Sequence, residues 1–163
     1  MAAPADVRID PATPDDVPLL LRLIRALADY ERMTDQVVAT EADVRVALFG
    51  DTPAAEAAIA RVGGEAVGFA LWFYNYSTFL GRQGLYLEDL FVLPEQRGRG
   101  IGRALLIHLA RVAVSRNCGR MEWSVLNWND PAIRFYRSLG AQPMDEWTVY
   151  RLTGDALTRL AER

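Results

Sequence analysis

The sequence has a single cysteine, Cys118, and a single histidine, His108. One thiol cannot close an internal disulfide, and one cysteine with one histidine cannot assemble a Cys/His zinc site, so no metal is expected. A reducing, cytosolic location is the corresponding expectation. No stretch approaches the ~20 consecutive apolar residues of a membrane-spanning helix. The opening "MAAPADVRID" lacks a basic segment followed by an apolar run, so no signal peptide and no membrane partner are expected. A basic excess is also missing: 18 Lys+Arg against 21 Asp+Glu give a formal net charge of −3. That balance argues against a general polyanion binder, and no nucleic-acid partner is expected. Internal repeats, low-complexity tracts and linkers are absent as well.

What is present suits an ordinary globular chain. With 163 residues, 51% hydrophobic and 24% charged, the composition fits one domain over residues 1–163 with a substantial core. "VRI" (residues 7–9) reads as a short strand. Thr13 then offers a helix cap, with Pro14 at the first helical position and Asp16 at the third, ahead of Leu20, Leu23, Ile24 and Leu27 at helical spacing. The predicted helix covers 14–31. "TEADVRVALFG" repeats the signal, with Thr40 as cap, Asp43 three residues on and Gly50 as the stop. Two strand-like runs around Gly63-Gly64 read as a hairpin. "GLYLEDLFVLP" is a further strand. A helix over 101–116 follows, with an apolar stripe of Leu105, Leu109, Val112 and Ala113. Residues 120–129 read as a strand and "DPAIRFYRSLG" as a helix capped by Asp130 and ended by Gly140. "EWTVYRL" reads as a last strand, and the tail as a short helix. The pattern predicts an α/β fold with a mixed sheet.

The stretch "QRGRGIG" (residues 96–102) sits between the strand ending "FVLP" and the helix over 101–116. A glycine-rich turn opening a helix suits an anion: the first turn has free N–H groups and the positive dipole end, and glycines let the backbone approach. A nucleotide P-loop would end in Gly-Lys-Ser/Thr, but this stretch ends Gly102-Arg103-Ala104. A dinucleotide fingerprint would be G-x-G-x-x-G in the first βαβ unit, whereas Gly98, Gly100 and Gly102 give G-x-G-x-G deep in the chain.

The pattern Q/R-x-x-G-x-G/A after a strand resembles the acetyl-CoA pyrophosphate loop of the GNAT superfamily of N-acetyltransferases. The resemblance runs from about residue 13 to the C-terminus, through "LLRLIRALADYERMTDQV", "TEADV", "VGFALWFYNYSTFLGRQGLYLEDLFVLPEQRGRGIG", "VLNWNDPAIRFYRSLGA" and "DEWTVY". Those blocks are similar to the diamine acetyltransferase branch, which includes enzymes of spermidine, spermine and thialysine. The resemblance implies a single-domain α/β fold whose mixed, mostly antiparallel sheet is splayed at a bulged central strand and flanked by helices. It implies that Leu90, Phe91 and Val92 pair through their backbone with the pantetheine arm of acetyl-CoA. Arg97, Gly98, Arg99, Gly100, Ile101, Gly102 and Arg103 would then cradle the pyrophosphate, with Asn129 and Tyr136 beside the thioester. A homodimer is a further implication.

Amine acetylation needs a neutral amine, a polarised thioester carbonyl and a proton for the departing thiolate. Tyr136 matches the family's tyrosine at the sulfur, and a phenol of unperturbed pKa ~10 suits a proton donor to a forming thiolate. With Ile133 and Leu139 nearby, the alternative is a core aromatic. Glu88 and Asp89 are adjacent, so on a regular strand they would point to opposite faces and could share a site only across a bulge. Glu88 is assigned to the amine as a base through water, and Asp89 to substrate charge or to structure. Either could instead cap the bulge or pair with an arginine. Tyr30 and Glu31 match residues lining the cationic-substrate channel, Trp128 and Trp147 match aromatic positions near it, and Glu146 matches an acid there. The chain departs from the polyamine enzymes at Ser77-Thr78-Phe79, where they carry Asp-Pro-Trp. A small cationic amine is therefore the expected partner, with a lysine analogue or short diamine as plausible as spermidine. The competing readings are acetylation of a protein lysine or N-terminus, which would need an open, peptide-width groove, and a non-catalytic acyl-CoA sensor, which would need neither Tyr136 nor Glu88. His108 and Cys118 are read as a half-buried helix residue and a turn residue without catalytic roles.

Overall fold

A computed structural model describes residues 6–162, so the first five residues of the opening segment and Arg163 lie outside the described residues. The chain falls into two compact units, one ending at Ser124 and the other beginning at Val125.

In the first unit the capping signals act as the sequence predicts. The Thr13 backbone N–H and hydroxyl both donate to the Asp16 carboxylate, each at 2.9 Å. The turn they fix is a 3₁₀ helix over Pro14–Asp16, and helix α1 starts one residue later, at Val17–Tyr30. Thr40 forms the full capping box with Asp43 at the start of α2, Glu41–Phe49. Five strands follow in spatial order β1-β2-β3-β4-β5: Val7–Pro11, Glu56–Val62, Glu65–Ser77, Arg82–Val92 and Met121–Trp123. The first four pair antiparallel, and β5 runs parallel to β4. The expected mixed, mostly antiparallel α/β sheet is borne out.

The core lies between this sheet and the first two helices. Leu20, Leu23, Val44 and Leu48 pack with Ile59, Phe69 and Phe91. On the opposite face, by strand alternation, Ala58, Ala60 and Ala70 are fully buried, and their small side chains let a helix approach closely. Helix α3, Ile101–Ser115, packs against β1, β3 and β4. Of its expected stripe Leu105, Leu109 and Ala113 are buried and Val112 is half-buried, while Ile101 and Leu106 are buried in addition. Its far end is fastened by Arg116, whose guanidinium binds both Glu56 oxygens, one of them at 2.9 Å.

The second unit contains α4, Asp130–Ser138, and α5, Gly154–Ala161. Three sequence expectations are corrected here. The strand expected over 120–129 stops at Trp123. The cap of α4 is Asn129, whose side chain accepts from the Ala132 N–H at 3.4 Å, and Asp130 is already in the first turn. The strand expected in "EWTVYRL" does not form among the described residues, which have no strand beyond Trp123. Its alternating pattern needs a ladder partner and a covered face. Here Trp147, Val149 and Tyr150 are exposed instead, at 75%, 84% and 92%. Among the described residues no helix is long and apolar enough to cross a membrane.

Candidate active site

The middle of β4 carries the feature that organises the first unit. Leu71 of β3 faces Asp89 and its neighbour Trp72 faces Leu87, so Glu88 has no opposite residue. It is the extra residue of a β-bulge, which bends a strand and redirects its side chains. The expected bulged central strand is therefore observed, at the carboxylate pair. On its other edge β4 pairs with β5 only over Leu85–Leu87. Beyond Leu87 that edge has no strand partner among the described residues, so the sheet opens there.

The open edge presents backbone groups. The Leu93 N–H bonds the Val67 carbonyl of the β3 side at 2.9 Å. Because successive residues alternate, the polar groups of Val92 and Leu90 point the other way, to the open edge. Phe91 turns its side chain into the core. Of the pantetheine-pairing residues expected from the sequence, Leu90 and Val92 thus offer backbone groups and Phe91 anchors the strand.

From Val92 the chain passes a 3₁₀ turn, Pro94–Gln96, into the glycine loop. Gly98 and Gly100 have φ of +76° and +78°, in the left-handed region that side chains other than glycine resist. Gly100 is the cap of α3, and the first turn of that helix holds no acidic side chain to neutralise its N-terminal dipole. A methyl group at Gly102 would meet only Val92 Cγ2, at an ordinary 3.9 Å, which fits a motif that allows alanine there. The loop arginines differ. Arg99 donates to the Gln96 side-chain oxygen, and Arg103 projects from the first turn of α3 and is exposed. Arg97 folds back: its Nε donates to the Val92 carbonyl at 2.9 Å, and its guanidinium lies 4.2 Å from the Tyr30 ring centroid.

Tyr30 ends α1, and the turn after it is sharp. The Met33 N–H returns to the Ala28 carbonyl at 2.8 Å while Arg32 takes a left-handed φ of +62°. This is a helix-ending motif that normally uses glycine. Arginine carries no sequence signature for this left-handed position. It holds Glu31 half-buried, and burial pushes the Glu31 carboxyl up from its usual range. Asp89 is pushed up to about 6, by burial first, then by the charges of Glu88 and Glu31. Two expected acceptor-side segments, far apart in sequence, therefore share one electrostatic neighbourhood. Glu88 itself is exposed at the bulge.

The remaining candidates lie in the second unit. Asn129 is buried at 9% exposure and uses its side chain as the α4 cap. Tyr136 is half-buried, its ring 5.5 Å from that of Phe135. Trp128 is 46% exposed, and Glu146 is exposed in the irregular segment between the two helices. His108 is half-buried with its ring edge-on to Trp72, and burial lowers its pKa. Among the described residues no group of three or more His, Cys, Asp or Glu side chains could hold a metal.

The donor set fits coenzyme A: an open strand edge for an amide-rich arm, then a positive-φ glycine cradle and an uncompensated helix N-terminus for a pyrophosphate. Comparison with known proteins agrees with that fit. The chain is 39% identical to thialysine N-epsilon-acetyltransferase of Bos taurus, covering 96% of this chain and 98% of the relative. It is 34% identical to an L-ornithine N5-acetyltransferase of Arabidopsis thaliana, over 92% of this chain and 86% of that one. Among solved structures, an integron cassette protein from the mobile metagenome of V. cholerae superposes with a TM-score of 0.81 at 29% identity, covering 98% of this chain and 100% of the other. The model of the Acetyltransferase (GNAT) family, whose enzymes use acetyl-CoA as co-substrate, matches residues 22–141, and the chain belongs to that family as an N-acetyltransferase.

Proposed function

We propose that this enzyme acetylates a primary amine of a small cationic molecule, a lysine analogue such as thialysine, ornithine or a short diamine, with all of residues 1–163 acting as one N-acetyltransferase domain in the cytosol. The carrying observation is the meeting of Glu31, Glu88 and Asp89, where burial first and then the charges of Glu88 and Glu31 raise Asp89 to about 6. A site that holds uncompensated carboxylates against their own repulsion is suited to an ammonium ligand, which relieves it. Tyr30 adds an aromatic face beside Glu31. At the hairpin tip, where polyamine enzymes carry an acid, the Ser77 hydroxyl instead accepts the Leu80 N–H at 3.2 Å. That position serves the turn and offers no charge to a second or third ammonium. Full-length relatives that act on thialysine and ornithine support the same substrate size.

Acetyl-CoA would supply the acetyl group as an activated thioester. Leu90 and Val92 would hold its arm through the open β4 edge, and the Gly98 and Gly100 backbone with Arg99, Arg103 and the α3 N-terminus would hold its pyrophosphate. Glu88, exposed at the bulge, would take the ammonium proton through water, so that a neutral amine attacks. Asp89 and Glu31 would bind the substrate's charge. Tyr136 would give the departing sulfur its proton, with Asn129 beside it. Trp128 and Glu146 would complete the acceptor side. The exposed Trp147, Val149, Tyr150 and Leu152 support a homodimer in which a second copy covers them. A thiol-release assay with acetyl-CoA tests the reading against thialysine, lysine, ornithine, putrescine, spermidine, spermine and a lysine peptide, one at a time. Release with thialysine or ornithine is expected, and no release above background hydrolysis with any amine would overturn it.

A further inference from the structure

Arg97 belongs by motif to the pyrophosphate loop, yet its side chain is turned away from a purely anion-binding role. Its guanidinium sits 4.2 Å from the centroid of Tyr30 and 5.5 Å from that of Phe91, between the end of α1 and the strand below it. Its Nε donates at 2.9 Å to the Val92 carbonyl, one of the backbone groups facing the open edge of β4. One planar cation thus touches an acceptor-side ring, a core ring and the cofactor strand. An arginine can do this because its fork donates in plane while its face stacks on aromatics. The segment it touches on the acceptor side needs holding: α1 ends through the left-handed Arg32, and Tyr30 and Glu31 precede that strained turn.

We propose that Arg97 is a positioning residue that ties the end of α1, with Tyr30 and Glu31, to the cofactor edge of β4, so that the glycine loop and the amine site are set by one side chain. This rests on the reading of Tyr30 and Glu31 as acceptor-site residues. Arg99 and Arg103 are left as the arginines of the loop that face an anion. The Val92 carbonyl is occupied from within the protein, which leaves the Val92 N–H and the Leu90 groups as the edge available to the pantetheine arm.

The test is a double-mutant cycle between Arg97→Gln and Tyr30→Leu with two readouts. The first is hydrogen exchange of the Glu31, Arg32 and Met33 amides, whose bonds close the end of α1. It needs neither cofactor nor turnover, and so stays decisive if no amine proves to be a substrate. Each single variant should speed exchange there, and the double variant should add nothing further. The second readout compares the amine KM with the dissociation constant of CoA. Loss of an exposed cation–π contact predicts an amine KM raised about two- to fivefold in Arg97→Gln, a larger change than that for CoA. Arg97→Lys, which keeps a cation over the ring but loses the planar donor, should lie between Gln and Arg. Weakened CoA binding with amine KM and exchange unchanged, or additive effects in the double variant, would overturn the proposal.

Discussion

In the proposed amine site, Asp89 is the residue whose charge would serve the substrate at a cost to stability. In the folded chain it keeps its proton up to about 6, whereas the ordinary value is 3.8. Between those limits the folded state binds more protons than the unfolded one, so the stability this group contributes is present at low pH and is lost as pH rises through about 6. Asp89→Asn should therefore stabilise the fold at pH 7 by up to about 2 kcal/mol after allowance for solvent screening, read as a raised melting temperature, and the gain should shrink toward pH 4. The same variant should raise the amine KM roughly tenfold through loss of a charge-assisted partner. In the native enzyme the amine KM should climb as pH falls below about 6. A melting curve unchanged at pH 7 would count against the buried charge. Tyr136→Phe should keep the fold and CoA affinity while kcat drops by about a hundredfold, and an unchanged kcat would remove Tyr136 from the chemistry. The sequence singles out both residues as candidates, Asp89 through its acidic neighbour and Tyr136 through its motif. The contact of Arg97 with Tyr30 is not legible there, because it joins positions brought together only by the sheet.

Among the elements, those that signal locally were the readable ones. Thr40 with Asp43, Gly63-Gly64 and the leucine spacing of α1 each encode their geometry within a few residues, and each forms as predicted. The failures share a cause. A strand exists only with a partner, and "EWTVYRL" has the alternation without a ladder among the described residues. The residues after Trp123 likewise leave the sheet where β4 and β5 part. The bulge in the central strand is implied by the family resemblance, and its register places Glu88 as the extra residue. Gly100→Ala tests the glycine cradle at this scale. With φ at +78°, an added Cβ should cost roughly 1–2 kcal/mol and raise the KM for acetyl-CoA more than that for the amine. An alanine variant with native stability and native acetyl-CoA KM would show that the left-handed backbone is dispensable.

For the whole molecule, the sequence carried the α/β class and the family well, because these depend on the order of many weak signals. It carried the acceptor poorly, because Ser77-Thr78-Phe79 departs from the polyamine enzymes without pointing to another amine. The proposed homodimer rests on the second unit, where Trp147, Val149, Tyr150 and Leu152 are each exposed. Sedimentation equilibrium should give a dimer for the native chain and a monomer for a variant carrying Trp147→Asp and Tyr150→Asp. A native monomer at micromolar concentration would contradict this. The central claim is that carboxylates from α1 and β4 select a small cationic amine for acetylation. It is tested most directly by mass spectrometry of the products formed from acetyl-CoA and an equimolar mixture of thialysine, ornithine, lysine, putrescine, spermidine and a lysine peptide. The predicted result is a monoacetylated small amine, with thialysine or ornithine leading and its yield falling in Asp89→Asn. Acetylation of the peptide alone would contradict it.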